Sequence, residues 1–162
     1  MTKAETKKDD VRSLLPDTDG GVFLVVVDDS SEFDAALRRV ATLVKQKRGH
    51  AAVLYVIEDE GFLHWNFIEK QIQRDKRAEA EEALWKAAQR FYELSGCIPG
   101  IYIKEGKTYR EIAQILNTDP TIRALVLGAS SSSSNPLISY FTGKGLSELR
   151  VPLMIVPETL NS

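Results

Sequence analysis

The sequence predicts an α/β fold, in which helices cover both faces of a doubly wound parallel sheet of five strands. From residue 21 onward, short apolar runs of strand length alternate with stretches of helical periodicity. The first and fourth of these runs are almost continuously apolar, as strands buried on both faces require. The chain has 162 residues, which is the length of one globular domain, so the alternating elements are expected to share a single sheet.

The first strand and the first helix are predicted from the run at residues 22–27 and the periodic stretch behind it. The run reads VFLVVV, and apolar residues then recur at spacings of three and four. Ser31 and Asp34 have the spacing of a capping box at the start of this helix, which is expected to end near Gly49. The second strand is predicted over residues 51–57.

A long helix is predicted over residues 66–95, where Gly96 supplies the stop signal. Its second half carries an apolar stripe: Ala80, Ala83, Leu84, Ala87, Phe91 and Leu94. A less apolar third strand follows at residues 98–104. Thr108 and Glu111 have capping-box spacing, so they predict the start of a short helix.

The last elements are two strands separated by a loop and a helix. Residues 122–127 predict the fourth strand and residues 153–156 the fifth. Between them, a run of five serines at residues 130–134 is followed by a helix predicted over residues 139–149. Right-handed crossovers allow the strand orders 2-1-3-4-5 and 3-2-1-4-5. Both orders place the loop after Val27 at a switch point, where ligands bind such sheets.

The chain ends differ in composition from this domain. Residues 1–20 are polar and turn-rich, which predicts a mobile leader before a domain at residues 21–158 and a tail at residues 159–162. No secretion signal or membrane span is recognisable, and the single cysteine allows no internal disulfide, so a cytoplasmic location is expected. The net charge of −2 predicts no general attraction to nucleic acid or to anionic membranes.

Two motif-based interpretations of the switch point fail. Asp28 and Asp29 resemble the acidic pair of a response-regulator receiver, but the third and fifth strands end in IYIKEG and MIVPE, without the required aspartate and lysine. Thr142 to Gly145 suggests a P-loop, but the glycine expected five residues before Gly143 is Ile138.

The chain from residue 21 to 157 resembles the universal stress protein family. The resemblance rests on four strand ends in the right order, which read VVVDDSSEFDAALRRV, LYVIED, ALVLGAS and VPLMIVP. It implies a 3-2-1-4-5 sheet, a dimer, and, as in one branch of the family, ATP or AMP in the cleft between the first and fourth strands.

The resemblance also implies a set of binding residues. In the nucleotide-binding branch, the aspartate that closes the first strand contacts adenosine, and this aspartate matches Asp28. A backbone position at the end of the second strand matches Val56. The family's G-x2-G-x9-G-(S/T) pattern falls on Gly128, Ser131, Phe141 and Thr142, so only its first glycine and its hydroxyl residue remain. The candidate set is Asp28, Val56, Leu127, Gly128, Ser130, Ser131 and Thr142.

Structural roles are weighed beside these functional ones. Asp28 has the alternative of capping a turn or the first helix, and the serine run has the alternative of a solvated loop. His50 and His64 lack partners at metal spacing and are expected at the surface or in loops. Cys97 is expected to pack as a small apolar residue. The side chains of Phe62 and Trp65 are expected either in a lid over the cleft or in the core.

The sequence therefore predicts a homodimeric regulatory or stress-response protein that binds an adenine nucleotide without rapid turnover. An ATP hydrolase is the least favoured interpretation, since no general base, Walker motif or metal cluster is recognisable. The alternative is a protein-interaction module of the same fold that binds no nucleotide. In a 3-2-1-4-5 sheet the fifth strand is an apolar edge, whereas the third ends in Lys104 and Glu105. The dimer is expected to form through the fifth strand: Leu153, Met154, Ile155 and Val156.

Overall fold

A computed structural model describes residues 20–28, 30–46, 48–58, 66–132 and 134–159. Five parallel strands form one sheet in the order β3-β2-β1-β4-β5. The strands are β1 (Val22–Val26), β2 (His50–Glu58), β3 (Gly100–Gly106), β4 (Ile122–Ala129) and β5 (Leu153–Pro157). The helices are α1 (Ser31–Lys45), α2 (Asn66–Ser95), α3 (Thr108–Thr118), α4 (Pro136–Thr142) and a 3-10 helix (Leu146–Glu148). The predicted fold class and the order 3-2-1-4-5 are confirmed.

Helices cover both faces of the sheet, and each face has its own apolar core. Val25 and Phe91 are fully buried on the face covered by α1 and α2, while Leu24 and Phe141 are fully buried on the face covered by α3 and α4. Alternate residues of β1 thus point into opposite cores, which explains why this strand has no polar residue.

The connections change faces at one place in the sheet. The crossovers through α1 and α2 pack on one face, whereas those through α3 and α4 pack on the other. Because β1 lies between β2 and β4, the chain order reverses beside β1. The carboxyl ends of β1 and β4 therefore frame the switch point, where ligands bind in this class of sheet.

Both predicted capping boxes are wrong in detail. Ser30, and not Ser31, caps α1, and its hydroxyl oxygen accepts a hydrogen bond from the backbone N–H of Phe33 at 3.2 Å. Thr108 is the first residue of α3, and its hydroxyl donates to Glu58 Oε1 at 2.6 Å. Neighbouring polar residues compete for such caps, and the choice between them depends on tertiary contacts.

The helix predicted over residues 139–149 is also wrong. α4 begins at Pro136, because Asn135 caps it by accepting the N–H of Leu137 at 2.9 Å. The helix ends at Gly143, and the later residues form only the short 3-10 helix. The predicted third strand was placed two residues too early, since β3 begins at Gly100.

His50 is buried, which corrects its expected place at the surface. It is the first residue of β2, its backbone N–H donates to Gly21 at 2.8 Å, and it is 8% exposed. Phe62, His64 and Trp65 lie outside the described residues, so their predicted roles stay predictions.

The chain ends lie almost entirely outside the described residues. Of the predicted leader only Gly20 is described, and its carbonyl accepts a hydrogen bond from Arg123 Nη1 at 2.7 Å. Within the described ranges, no helix combines the length and the apolar character that a membrane span requires.

Candidate functional site

The candidate site begins with Asp28, at the carboxyl end of β1. Val26 pairs with Leu54 of β2, and Val25 pairs with Val126 of β4. Continuing both registers places Asp28 level with Val56 on one side and with Ala129 on the other. Asp28 and the backbone of Val56 are therefore neighbours at the carboxyl-terminal edge of the sheet.

The Asp28 carboxylate is exposed and forms a turn with Ser30. Its Oδ1 accepts the backbone N–H of Ser30 at 2.8 Å and also accepts the Ser30 hydroxyl. Oδ2 has no hydrogen-bond partner among the described residues. The structural role considered for Asp28 is thus present, and one carboxylate oxygen remains available to a ligand.

Gly128 lies across the cleft, where it has a packing function. It is buried, and a Cβ atom built on it would lie 2.0 Å from the carbonyl oxygen of Glu32. The absence of a side chain lets the first turn of α1 approach β4. Asn135 Nδ2 donates to the carbonyl oxygen of Gly128 at 3.0 Å, which ties the start of α4 to the same place.

The serine loop after β4 folds on itself. The hydroxyl groups of Ser130 and Ser132 are hydrogen-bonded at 2.8 Å, and the N–H of Ser132 donates to Ser130 Oγ at 3.1 Å. Ser131 is exposed between them. Beside Gly128, the hydroxyls of Ser130 and Ser132 are thus bonded to each other, whereas Ser131 and Ser134 are exposed without a hydrogen bond of this kind.

Carboxylates dominate the electrostatics of this edge. Ser31 Oγ donates to Glu158 Oε1 at 2.5 Å, and the N–H of Glu158 donates to Ala129 at 2.7 Å. Glu32 is buried against Gly128, and Asp28 is exposed nearby. Among the described residues, neither Asp28 nor Glu158 has a lysine or arginine as a hydrogen-bond or ion-pair partner. These two carboxylates offer hydrogen-bond acceptors at the described part of the cleft.

The remaining predicted residues occupy different surroundings. The side chain of Leu127 is buried in the core beneath α3 and α4, so only its backbone lies near the cleft. Thr142 ends α4, and its hydroxyl donates to the carbonyl of Ile138 at 2.6 Å. Because α4 starts beside Gly128, its seven residues carry Thr142 about 10 Å along the helix axis. Asp28, Val56, Gly128, Ser130 and Ser131 lie at the carboxyl-terminal edge of the sheet, whereas Thr142 lies at the far end of α4.

Three side chains at this edge were missed by the sequence analysis: Ser31, Asn135 and Glu158. Asn135 had a usable signal, since an asparagine directly before a proline commonly starts a helix. Ser31 and Glu158 are 127 residues apart in sequence, and no local signal pairs them. Across the described ranges, no group of three or more His, Cys, Asp and Glu side chains is arranged to hold a metal ion.

Comparisons with known proteins agree with the architecture. The model of the universal stress protein family matches residues 21–157. The universal stress protein UspA from Lactobacillus plantarum has a similar structure, with a TM-score of 0.67 and 17% identity over 84% of this chain and 97% of that chain. Comparison with curated protein sequences gave no match.

Two further similar structures were solved with ligands. A universal stress protein family protein from Arabidopsis thaliana with AMP bound has a TM-score of 0.59 and 13% identity, over 85% of this chain and 91% of that chain. A universal stress protein in complex with cAMP has a TM-score of 0.58 and 11% identity, over 86% of this chain and 98% of that chain. At these identities the likeness concerns the fold, and the family model covers most of the sequence. The chain therefore belongs to the universal stress protein family.

Proposed function

We propose that this protein is a stress-response or regulatory protein that binds an adenine nucleotide in the cleft between β1 and β4. The observation that carries the proposal is the position of Asp28, whose exposed carboxylate ends β1 at the switch point, level with Val56. Similar structures that contain AMP and cAMP support the same class of ligand. The Asp28 carboxylate accepts a hydrogen bond from the adenosine part, because a phosphate at that position would be repelled.

The charges around the cleft favour AMP over ATP. Asp28 and Glu158 lie beside it, and in the described part of the chain neither has a basic partner that could balance added phosphate charge. Each further phosphate group adds repulsion that the exposed hydroxyl of Ser131 cannot offset. We therefore expect affinity to decrease from AMP through ADP to ATP in the absence of a divalent cation.

Calorimetric titration with the three nucleotides tests the proposal. Asp28→Ala should weaken AMP binding by about 1.5 to 3 kcal/mol, the usual contribution of a hydrogen bond to a charged group. Thr142→Ala should weaken it less, because its hydroxyl donates to Ile138. Asp75→Ala, which removes an exposed carboxylate from α2, serves as the control and should leave the affinity unchanged. Equal affinity in wild type and a folded Asp28→Ala variant would refute the adenosine contact.

A second candidate function is protein interaction, which an exposed apolar surface favours. Five large apolar side chains are more than half exposed in the described part of the chain: Trp85 (64%), Tyr92 (56%), Ile98 (71%), Ile101 (51%) and Leu146 (58%). Trp85 and Tyr92 are seven residues apart in α2, so they lie on one face of the helix. Exposed aromatic side chains are enriched at interaction sites.

The two candidate functions are distinguished by combining nucleotide titration with a measurement of self-association. Absence of binding heat for all three nucleotides, together with loss of self-association in Trp85→Ser, would favour the interaction module with a second copy as its partner. Nucleotide binding with unchanged self-association in Trp85→Ser would favour the first function. Sedimentation velocity measures self-association directly.

A further inference from the structure

A groove outside the nucleotide cleft lies between α3 and the segment that follows α4. Its volume is about 520 Å³, within the range of small-molecule sites. One wall is formed by Arg110, Gln114 and Asn117, which recur on one face of α3, and the other by Ser147, Glu148 and Arg150. None of these residues belongs to the candidate nucleotide site.

The positive charge of the groove has no ion-pair partner among the described residues. Arg38, Arg77 and Arg90 each have a carboxylate within 4.0 Å, whereas in the described part of the chain neither Arg110 nor Arg150 has one.

The one carboxylate of the groove is engaged elsewhere. Glu148 Oε2 accepts a hydrogen bond from the Tyr140 hydroxyl at 2.7 Å, although two guanidinium groups line the same groove. The walls therefore hold two cations against one anion, and neither cation has an ion-pair partner within the described ranges that a ligand would have to displace.

Aromatic contacts join the two walls of the groove. The rings of Tyr109 and Tyr140 lie 4.5 Å apart between centroids, and the Arg110 guanidinium carbon lies 5.9 Å from the centre of the Tyr109 ring. A Cβ atom built on Gly145 would lie 2.1 Å from Tyr140, so the second wall packs directly on that ring. The Arg110 guanidinium thus lies near the aromatic pair at one wall of the groove.

We propose that this groove binds a small ligand through an oxyanion, either a phosphate monoester or a carboxylate, held by Arg110 and Arg150. Guanidinium groups bind such oxyanions with two parallel hydrogen bonds, and the binding is strongest where no carboxylate of the protein competes. Gln114, Asn117 and Ser147 supply donors and acceptors for the neutral part of the ligand. Glu148 limits the total negative charge, so a phosphate monoester or a small carboxylate or dicarboxylate fits better than a polyphosphate.

Titration with inorganic phosphate and with succinate, followed in ¹H–¹⁵N spectra through the arginine Nε–Hε signals, tests the proposal. The signals of Arg110 and Arg150 should shift together and saturate with one dissociation constant. Arg110→Gln and Arg150→Gln should each weaken binding at least about tenfold. Arg74→Gln, on the exposed surface of α2, is the matched control and should change nothing. Saturation by phosphate alone or by succinate alone identifies the source of the oxyanion.

The outcomes also separate this site from the nucleotide cleft. Asp28→Ala should leave phosphate binding in the groove unchanged, and adenosine, which has no phosphate, should not shift the Arg110 or Arg150 signals. Parallel, unsaturable shifts of all arginine signals would overturn the proposal, and so would unchanged binding in the Arg110→Gln and Arg150→Gln variants. Both arginines are exposed, so their replacement should leave the fold intact, and the backbone spectrum verifies this.

Discussion

The buried Gly128 illustrates how one position can satisfy both a binding pattern and a packing requirement. The sequence pattern gives it a role beside a nucleotide, while the structure shows the backbone of Glu32 in the space that a side chain would occupy. Such contacts between a helix and a strand tolerate no added methyl group unless the helix moves. The glycine is therefore explained by packing alone, and its presence is no evidence for a phosphate site.

Replacing Gly128 by alanine should destabilise the protein strongly. The new Cβ atom would lie 2.0 Å from a backbone oxygen, so α1 must shift, and we expect a loss of about 2 kcal/mol or more in the free energy of unfolding. Gly100→Ala is the control, since its Cβ would lie 3.5 Å from the nearest atom, an ordinary contact. Urea denaturation of both variants measures the difference. Equal stability of the two would show that α1 adjusts freely.

A second prediction at the residue scale concerns His50 and pH. Burial lowers the pKa of His50 below 6.5, while its hydrogen bond to the backbone of Ile98 acts weakly in the opposite direction. The folded state thus holds the ring neutral, and below about pH 6.5 the unfolded state binds more protons. The free energy of unfolding should therefore decrease as the pH falls from 7 to 5.

Denaturant unfolding at several pH values measures this effect. His50→Gln should flatten the dependence between pH 5 and 7, because the remaining histidine, His64, contributes equally to both proteins. A titration of the His50 ring by NMR with a midpoint above 6.5 would contradict the predicted direction.

At the scale of elements, Asp119 connects α3 with two strands. Its Oδ2 accepts the hydroxyl of Tyr102 in β3, and its Oδ1 accepts the N–H of Thr121 at 2.9 Å and the hydroxyl of Thr121 at 2.5 Å. Burial, and then the bond and the charge of Asp119, raise the pKa of Tyr102 to about 12. Burial alone would raise the pKa of Asp119, but the hydrogen bonds from Thr121 and Tyr102 outweigh it and lower that pKa.

Removing this carboxylate should loosen the junction of β3, α3 and β4. We expect Asp119→Ala to lower the free energy of unfolding by about 1 to 2 kcal/mol, and Tyr102→Phe, which removes one hydrogen bond, to lower it by less. Because the folded-state pKa of Asp119 is lowered, its contribution is complete above pH 3.8 and is lost as the pH falls through that lower pKa. Acid denaturation of both variants tests this. If Tyr102→Phe lost more unfolding free energy than Asp119→Ala, the contacts of Tyr102, and not the Asp119 carboxylate, would stabilise this junction.

The order and type of the elements could be predicted because burial shapes long stretches of sequence. The apolar run of β1 and the apolar stripe of α2 from Ala80 to Phe91 both indicate which faces of these elements are buried. The exact caps could not be predicted, since Ser30 and Ser31 are equally suited by type and their roles depend on the side chains that they contact, Asp28 and Glu158. Asp28 could be placed at the end of β1 because a strand end is a local feature. Glu158 could not be placed beside it, because it comes from a segment that is distant in sequence.

At the scale of the whole molecule, β3 and β5 are the outermost strands of the sheet, and each exposes an apolar side chain. On β5, Ile155 is 43% exposed, whereas Val156 is buried. On β3, Ile101 is 51% exposed. Part of the apolar surface of β5 therefore packs in the core and cannot form a dimer interface. Because β3 also exposes an apolar side chain, it is an alternative interface strand.

We predict a homodimer through β5, in which two copies pair across a two-fold axis. In such an arrangement equivalent residues near the axis face each other, so Ile155→Glu would bring two like charges together and should give a monomer. Ile101→Glu, an equally drastic change at an equally exposed isoleucine on β3, should leave the dimer intact. Light scattering at tens of micromolar protein measures both masses. A monomeric wild type would refute the dimer, and dissociation by Ile101→Glu alone would place the interface on β3, because a charge on an edge strand disrupts only the pairing in which that edge takes part.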